Sequence, residues 1–192
     1  MSTEAGKDEL FLEKAMRGER AGLEYLVKKH QNMAFTVALR IVSNREDAEE
    51  VVQDAFLKAF NSLSKFRKTA QFSTWLYRIT YNTALRKLEQ RPLPTAVINS
   101  VAEQRPNYPG TYDGDLLELD ERKRFVQLAL QQLPTDESLV ISLFYIGEKS
   151  VSEVSEILNL KRSAVKMRLF RGRKSLEAIL TKLLNKEIID FL

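Results

Sequence analysis

Apolar residues recur at the three-to-four-residue spacing of an α-helix through most of the chain. In the first half, Leu23, Leu26 and Val27, then Phe35, Ala38, Leu39 and Val42, then Val51, Val52, Ala55, Phe56, Ala59 and Phe60 each mark one helical face. Ser43-Asn44 followed by the acids Glu46 and Asp47 reads as a helix end and a fresh N-cap, with negative charge in the first turn where the helix dipole favours it. Another helix is predicted from near Phe72-Ser73-Thr74 to about Gln90, stopped by Pro92 and Pro94. In the second half the spacing predicts helices over Leu116 to Leu133 (ended by Pro134), Asp136 to Ile146 (ended near Gly147), Val151 to Leu158, and Arg162 to about Leu184. No period-two alternation marks a strand, so the expected fold class is all-α.

The helical pattern lapses between residues 93 and 117. Pro94, Pro106, Pro109, Gly110 and Gly114 fall there, and Pro92 just precedes it. The segment reads as a flexible linker. At full stretch its 25 residues reach roughly 80 Å. The expected organisation is therefore two small helical domains, 1–92 and 118–192, joined by 93–117.

Composition removes whole classes of chemistry. The 192 residues contain no cysteine, which excludes disulfides, thiolate zinc sites and cysteine nucleophiles, and suits a reducing cytosol. His30 is the single histidine, so a multi-histidine metal cluster is impossible; it is expected at the surface or between helices. No apolar run approaches the roughly 18 residues that span a bilayer, and Met1 to Leu10 is too polar and acidic for a signal peptide. A cytoplasmic location is expected. Net charge is only +4, but its distribution is uneven: Lys161 to Lys174 holds seven basic residues and no acid, and Glu46 to Asp54 holds five acids and no base. Separate basic and acidic surfaces suit two kinds of partner.

The basic stretch lies in a helix-turn-helix pattern. Ser150 or Ser152 is placed to cap a short helix with Val151, Val154, Ile157 and Leu158 on its apolar face. Asn159-Leu160 interrupts it, asparagine being tolerant of the left-handed conformation. The next helix starts near Arg162-Ser163, turns Val165, Leu169, Leu176 and Ile179 inward, and covers much of the rest of its surface with Lys166, Arg168, Arg171, Arg173 and Lys174. A recognition helix needs one face to pack and one to offer donors to phosphates and base edges. Lys166, Met167 and Phe170 are expected nearest a major groove, with Arg171 and Arg173 shared between bases and phosphates; Phe170 fits a core position equally well.

The first half carries a less common pair of motifs. Asp47 to Phe60 (DAEEVVQDAFLKAF) is a helix with one apolar and one acidic-polar face. After the loop Phe66-Arg67-Lys68-Thr69-Ala70-Gln71 comes Phe72 to Asn82 (FSTWLYRITYN). In order and nearly in full, these resemble the two signature motifs of the extracytoplasmic-function sigma factors. Leu133-Pro134 and the stretch from Ser150 to Leu176 are similar to that family's second domain. The resemblance covers most of residues 20 to 180. Arg86, Glu89 and Ser155 depart from what many members carry, so a promoter sequence does not transfer with the resemblance.

What the resemblance implies is a subunit that binds core RNA polymerase and directs promoter recognition, melting and initiation, with no chemistry, cofactor, metal or small-molecule substrate of its own. Asp47, Glu50, Gln53, Asp54, Leu57 and Lys58 would dock on the clamp coiled coil of the largest polymerase subunit. Phe66, Arg67, Lys68, Phe72, Tyr77, Arg78, Asn82 and Arg86 would engage the single-stranded minus-10 element, by stacking and edge hydrogen bonds. Arg162, Ser163, Lys166, Met167, Phe170, Arg171, Arg173 and Lys174 would read the duplex minus-35 element. Members are commonly held inactive by an anti-sigma factor, which the resemblance suggests as a further partner. Trp75 is expected in the core.

A conventional helix-turn-helix regulator with a sensing or dimerisation domain fits the C-terminal half alone. The acidic Gln53-Asp54 helix followed by an aromatic, basic loop and helix argues against it, since a sensing domain has no reason to carry that pair. No glycine-rich phosphate loop, nucleophile elbow or carboxylate–histidine set supports an enzyme.

Overall fold

The computed structural model describes residues 4–67, 69–90 and 121–190; the expected linker and Lys68 lie outside the described residues. Among the described residues every regular element is helical: α1 (Glu4–Met16), α2 (Arg20–Val42), α3 (Arg45–Asn61), a 3-10 turn (Leu63–Lys65), α4 (Phe72–Glu89), α5 (Glu121–Gln132), α6 (Thr135–Ile141) running into a π-helical turn (Ser142–Ile146), α7 (Val151–Leu158) and α8 (Arg162–Asp190).

α2, α3 and α4 pack on one another, and α1 lies along α2. Their shared core takes Leu26, Ala34, Val37, Ala38 and Val42 from α2, Val51, Ala55 and Ala59 from α3, and Leu76 and Ala84 from α4, all essentially inaccessible. These sit at helical spacing, so a single stripe of each helix is buried. The α2–α3 break forms as the sequence predicts. Ser43 takes a left-handed conformation, φ 54°, and its N–H returns to the Leu39 carbonyl. The Asn44 side chain then accepts from the Asp47 N–H at 2.9 Å to cap α3.

In the second half α8 spans α5, α6 and α7. Leu130, Val140, Ile141, Leu143, Val154, Ile157, Val165 and Leu169 fill that core. Where the sequence predicts one helix from Asp136 to Ile146, the backbone widens to a π-helical turn after Ile141. Gly172 explains how closely α8 approaches α6: a Cβ there would sit 2.9 Å from Ile141 Cγ1.

The two halves also touch. α4 packs on α7, and α2 on α6 and the π-helical turn. Arg40, buried on α2, donates from Nη1 to the Leu130 carbonyl of α5 at 3.1 Å.

α1 is the element the sequence reading missed. Its inward set is thin, chiefly Leu12 and Ala15. An aromatic stack and polar links supplement it: Phe11 stacks on Tyr25 with centroids 4.2 Å apart, and Asp8 accepts from Tyr25 Oη and Lys29 Nζ, each at 2.6 Å. The crossing depends on Gly22, where a Cβ would lie 2.3 Å from the Ala15 backbone nitrogen. Gly22→Ala gains helix propensity but forces the two backbones apart, an overpacking cost of about 1–3 kcal/mol. A lower thermal midpoint by circular dichroism is expected; an unchanged or raised midpoint would show that α1 is not held there.

Candidate nucleic-acid and polymerase interfaces

The helix-turn-helix is fixed by local chemistry at three points. Ser150 and Glu153 form a reciprocal capping box: the Glu153 N–H donates to Ser150 Oγ at 3.3 Å, and the Ser150 N–H to Glu153 Oε2 at 2.9 Å. Asn159 ends α7 in the left-handed region, φ 52° and ψ 47°. Arg162 then ties the start of α8 back to α7, donating from Nη2 to Ser152 Oγ at 2.7 Å.

Val165 and Leu169 point α8 inward and leave its outer face free. Ser163, Lys166, Met167, Phe170, Arg173 and Lys174 are exposed there, Met167 at 58 % and Phe170 at 66 %. Phe170 is thus a surface residue, not a core one. Two large apolar side chains amid cations on one face favour a ligand with both phosphate and apolar edges. Arg168 and Arg171 differ from the rest. Arg168 Nε lies 3.2 Å from Asp136, and Arg171 lies 3.9 Å from Asp136 and 3.6 Å from Glu137, so α6 carboxylates share both cations.

On α3, Glu50, Gln53, Asp54 and Leu57 are exposed at i, i+3, i+4 and i+7 and form one face, with Leu57 61 % accessible. Lys87 of α4 borders it, 2.6 Å from Glu50 and 3.5 Å from Asp47; its hydrogen bond to Glu50 raises its pKa. Lys58 reaches toward Asp54, at 3.8 Å, and Thr83 Oγ1, at 3.3 Å.

The residues expected at a single strand divide. Arg67, Arg78, Asn82 and Arg86 are exposed. Phe66, Phe72 and Tyr77 face inward, which differs from the expectation that they offer faces to unstacked bases. Phe66 lies against Trp75 and edge-on to Phe72, with centroids 5.0 and 6.0 Å apart. Trp75 is partly buried against the core, as its apolar surroundings predict. The Tyr77 hydroxyl meets His30 Nδ1 at 3.3 Å, and burial raises its pKa. His30 is interhelical and buried, and desolvation with the nearby Lys29 charge lowers its pKa to about 4.

A polar cluster between the halves escaped the sequence reading. Lys149, 7 % exposed, directs Nζ to Gln71 Oε1 at 2.7 Å and Ser73 Oγ at 2.6 Å, with Glu153 at 3.7 Å. Thr74 Oγ1 donates to Glu153 Oε1 at 2.8 Å, and Arg78 lies 3.8 Å from Glu156. Burial lowers the Lys149 pKa. Burial pushes Glu153 up, but hydrogen bonds from Ser150 and Thr74 and the Lys149 charge outweigh it and hold its pKa below the ordinary value. Nothing periodic in the sequence marks such a cluster, since its partners lie 76 to 79 residues apart. The sequence reading also missed an apolar groove of about 510 Å³ between α5, the π-helical turn and α8, lined by Val126, Leu130, Tyr145, Ile146 and Leu180. Among the described residues no cluster fit for a metal occurs, and no helix is long and apolar enough to cross a membrane.

Comparison with known proteins identifies the family. Residues 26–91 match the family Sigma-70 region 2, and residues 126–176 match Sigma-70, region 4. The chain is 33 % identical over 177 residues to the ECF RNA polymerase sigma-E factor of Haemophilus influenzae, covering 88 % of this chain and 93 % of that protein. It is 29 % identical over 187 residues to the RNA polymerase sigma-H factor of Pseudomonas aeruginosa, covering 94 % and 97 %. Among solved structures, CnrH in complex with the cytosolic domain of CnrY matches with a TM-score of 0.62 and 26 % identity, over 91 % of this chain and 97 % of that one. The sigma factor RpoE of Bartonella quintana, solved with the anti-sigma factor NepR, shares the fold at a TM-score of 0.61 and 22 % identity, over 82 % and 96 %. The chain belongs to the sigma-70 family of RNA polymerase sigma factors, in its extracytoplasmic-function type. Proteins of this family are transcription initiation factors that act with RNA polymerase at promoters.

The depressed His30 pKa has a consequence for stability. A histidine held neutral in the fold takes up a proton more readily once unfolded, so its contribution is present above about 6.5 and is lost as pH falls toward about 4. His30→Gln is expected to flatten the stability-versus-pH curve over that window in urea titrations. Curves of equal slope for both proteins would show that folding leaves the His30 pKa unchanged.

Proposed function

We propose that the chain divides its task between 1–92 and 118–192, with 93–117 as the tether, and that each half carries one promoter contact. The exposed α3 face docks on the largest-subunit clamp of core polymerase through Glu50, Gln53, Asp54 and Leu57, bordered by Asp47 and Lys58. Acidic and amide groups around one exposed leucine suit an arginine-rich helical partner. The minus-10 strand is engaged by Arg67, Lys68, Arg78, Asn82 and Arg86, while Phe66, Phe72 and Tyr77 hold that surface in shape from beneath. The minus-35 duplex is read by Lys166, Met167 and Phe170, with Arg173 and Lys174 on phosphate and Arg162 and Ser163 at the helix start. Arg171 contributes less to phosphate, because Asp136 and Glu137 already engage it.

The observation that carries this reading is the exposed row of cations and two large apolar side chains on α8, placed by the Ser150 cap and the Asn159 turn. The protein works in the cytoplasm, catalyses no reaction itself and uses no cofactor. An anti-sigma protein is a further partner; two relatives were each solved in complex with a second protein, and in one case that second protein is described as an anti-sigma factor.

Gel filtration with core RNA polymerase tests the α3 assignment. Asp54→Arg is expected to weaken co-elution by roughly tenfold or more with an unchanged circular dichroism spectrum; full co-elution would move the docking face elsewhere. For duplex minus-35 DNA, Arg173→Ala is expected to reduce the slope of log affinity against log salt by about 1. Arg171→Ala should change that slope less, and the reverse order would show that Arg171 leaves its carboxylates for phosphate.

A further inference from the structure

The major groove of DNA leaves an apolar side chain few partners. Along its floor the base edges offer hydrogen-bond donors and acceptors, and the one apolar group among them is the thymine C5 methyl. A helix with large apolar side chains at the centre of its groove-facing surface is therefore suited to thymine. Its cations belong at the sides, where the phosphate walls stand.

The start of α8 is arranged in that way. Val165, Leu169 and Gly172 are buried and fix its inward direction. At about 100° per residue, Met167 and Phe170 stand on the opposite side, in line with Ser163 and Lys174. They are 58 % and 66 % exposed. Lys166 and Arg173 flank the pair on one side and Arg171 on the other. Asp136 and Glu137 draw Arg168 and Arg171 toward α6, which leaves the centre of the face to the two apolar side chains. The apolar patch is only these two side chains wide, since Ser163, Lys166 and Lys174 border it. A protein partner held by apolar contact would call for a broader surface. Three residues advance a helix by about 4.5 Å, against about 3.4 Å between successive base pairs. Met167 and Phe170 are thus spaced to meet neighbouring pairs.

We propose that Met167 and Phe170 are specificity-determining residues: each covers the C5 methyl of a thymine, and together they select thymines in two neighbouring base pairs of the element read by α8. This rests on the assignment of α8 to duplex minus-35 DNA, and it names the bases that the helix prefers. Cytosine at either position removes the methyl and sets an amino donor against a side chain with no strong acceptor. Loss of the methyl alone re-exposes apolar surface and corresponds to about a fourfold change in affinity.

Deoxyuridine provides the test, because its base differs from thymine only in lacking that methyl. Duplexes randomised over the upstream element are enriched on the full-length protein assembled with core RNA polymerase. The enriched duplex is then remade with each thymine of either strand replaced singly by deoxyuridine. The expected result is an element with thymines in two neighbouring pairs, and about fourfold weaker holoenzyme binding when either is replaced. Met167→Ala removes that difference at one of the two positions and Phe170→Ala at the other. Both side chains are exposed, so the circular dichroism spectrum should not change. Uracil tolerated at every position, or a thymine preference that survives in both variants, overturns the proposal. Loss of co-elution with core polymerase in either variant places the pair on a protein surface and overturns it too. Arg173→Ala separates this proposal from the reading beneath it. A reduced salt slope in that variant, with uracil tolerated in the wild type, sinks the thymine preference alone; an unchanged slope with uracil tolerated removes α8 from the DNA as well.

Discussion

The Lys149 ammonium at the seam between the two halves is the interaction on which the arrangement of this protein depends. Stripping water from a lysine costs several kcal/mol, and well-placed acceptors roughly offset that cost without a large surplus. Gln71, Ser73 and Glu153 supply such acceptors at 2.7, 2.6 and 3.7 Å. A matched but nearly balanced contact contributes little net stability and a great deal of orientation, because any other docking of the halves would leave the ammonium without Gln71 and Ser73.

Glu153 links this seam to the recognition surface. Its one carboxylate closes the capping box of α7 through Ser150, accepts from Thr74 of α4, and faces Lys149. The group that starts the helix-turn-helix is therefore also the group by which the helix-turn-helix meets the first half. Further along, Asn159 sets the turn and Val165, Leu169 and Gly172 seat α8 on α6 and α7. The exposed face of α8 is what remains once these packing demands are met. The acidic face of α3 arises in the same way: Ala48, Val51, Ala55 and Ala59 are buried, and Glu50, Gln53, Asp54 and Leu57 stand opposite.

Much of this was legible in the sequence because it is local. Helix periodicity, the Asn44 and Ser150 caps and the left-handed Asn159 depend on residues within a few positions of one another, and α7 starts and ends where the pattern predicts. The acidic and basic stretches were visible for the same reason, and residues 26–91 and 126–176 match the family that the motifs of Asp47 to Asn82 and the stretch from Ser150 to Leu176 resemble. α1 was not legible, since Leu12 and Ala15 give it a narrow apolar face and Gly22 carries its crossing. The inward turn of Phe66, Phe72 and Tyr77 escaped as well: an aromatic residue beside basic ones looks alike whether it stacks on a base or on Trp75. The ion pairs of Arg168 and Arg171 with Asp136, and the whole Lys149 cluster, are long-range and leave no periodic trace.

Lysine footprinting by mass spectrometry addresses the seam residue itself. The free protein is treated briefly with an amine-acylating reagent, and the modification rate of Lys149 is compared with those of Lys166 and Lys174. A closed seam predicts that Lys149 is strongly protected, while the exposed Lys166 and Lys174 react freely. Modification of Lys149 in the free chain as fast as Lys166 and Lys174 would contradict the account, because it would place the ammonium in water and remove the polar contact with Gln71 and Ser73.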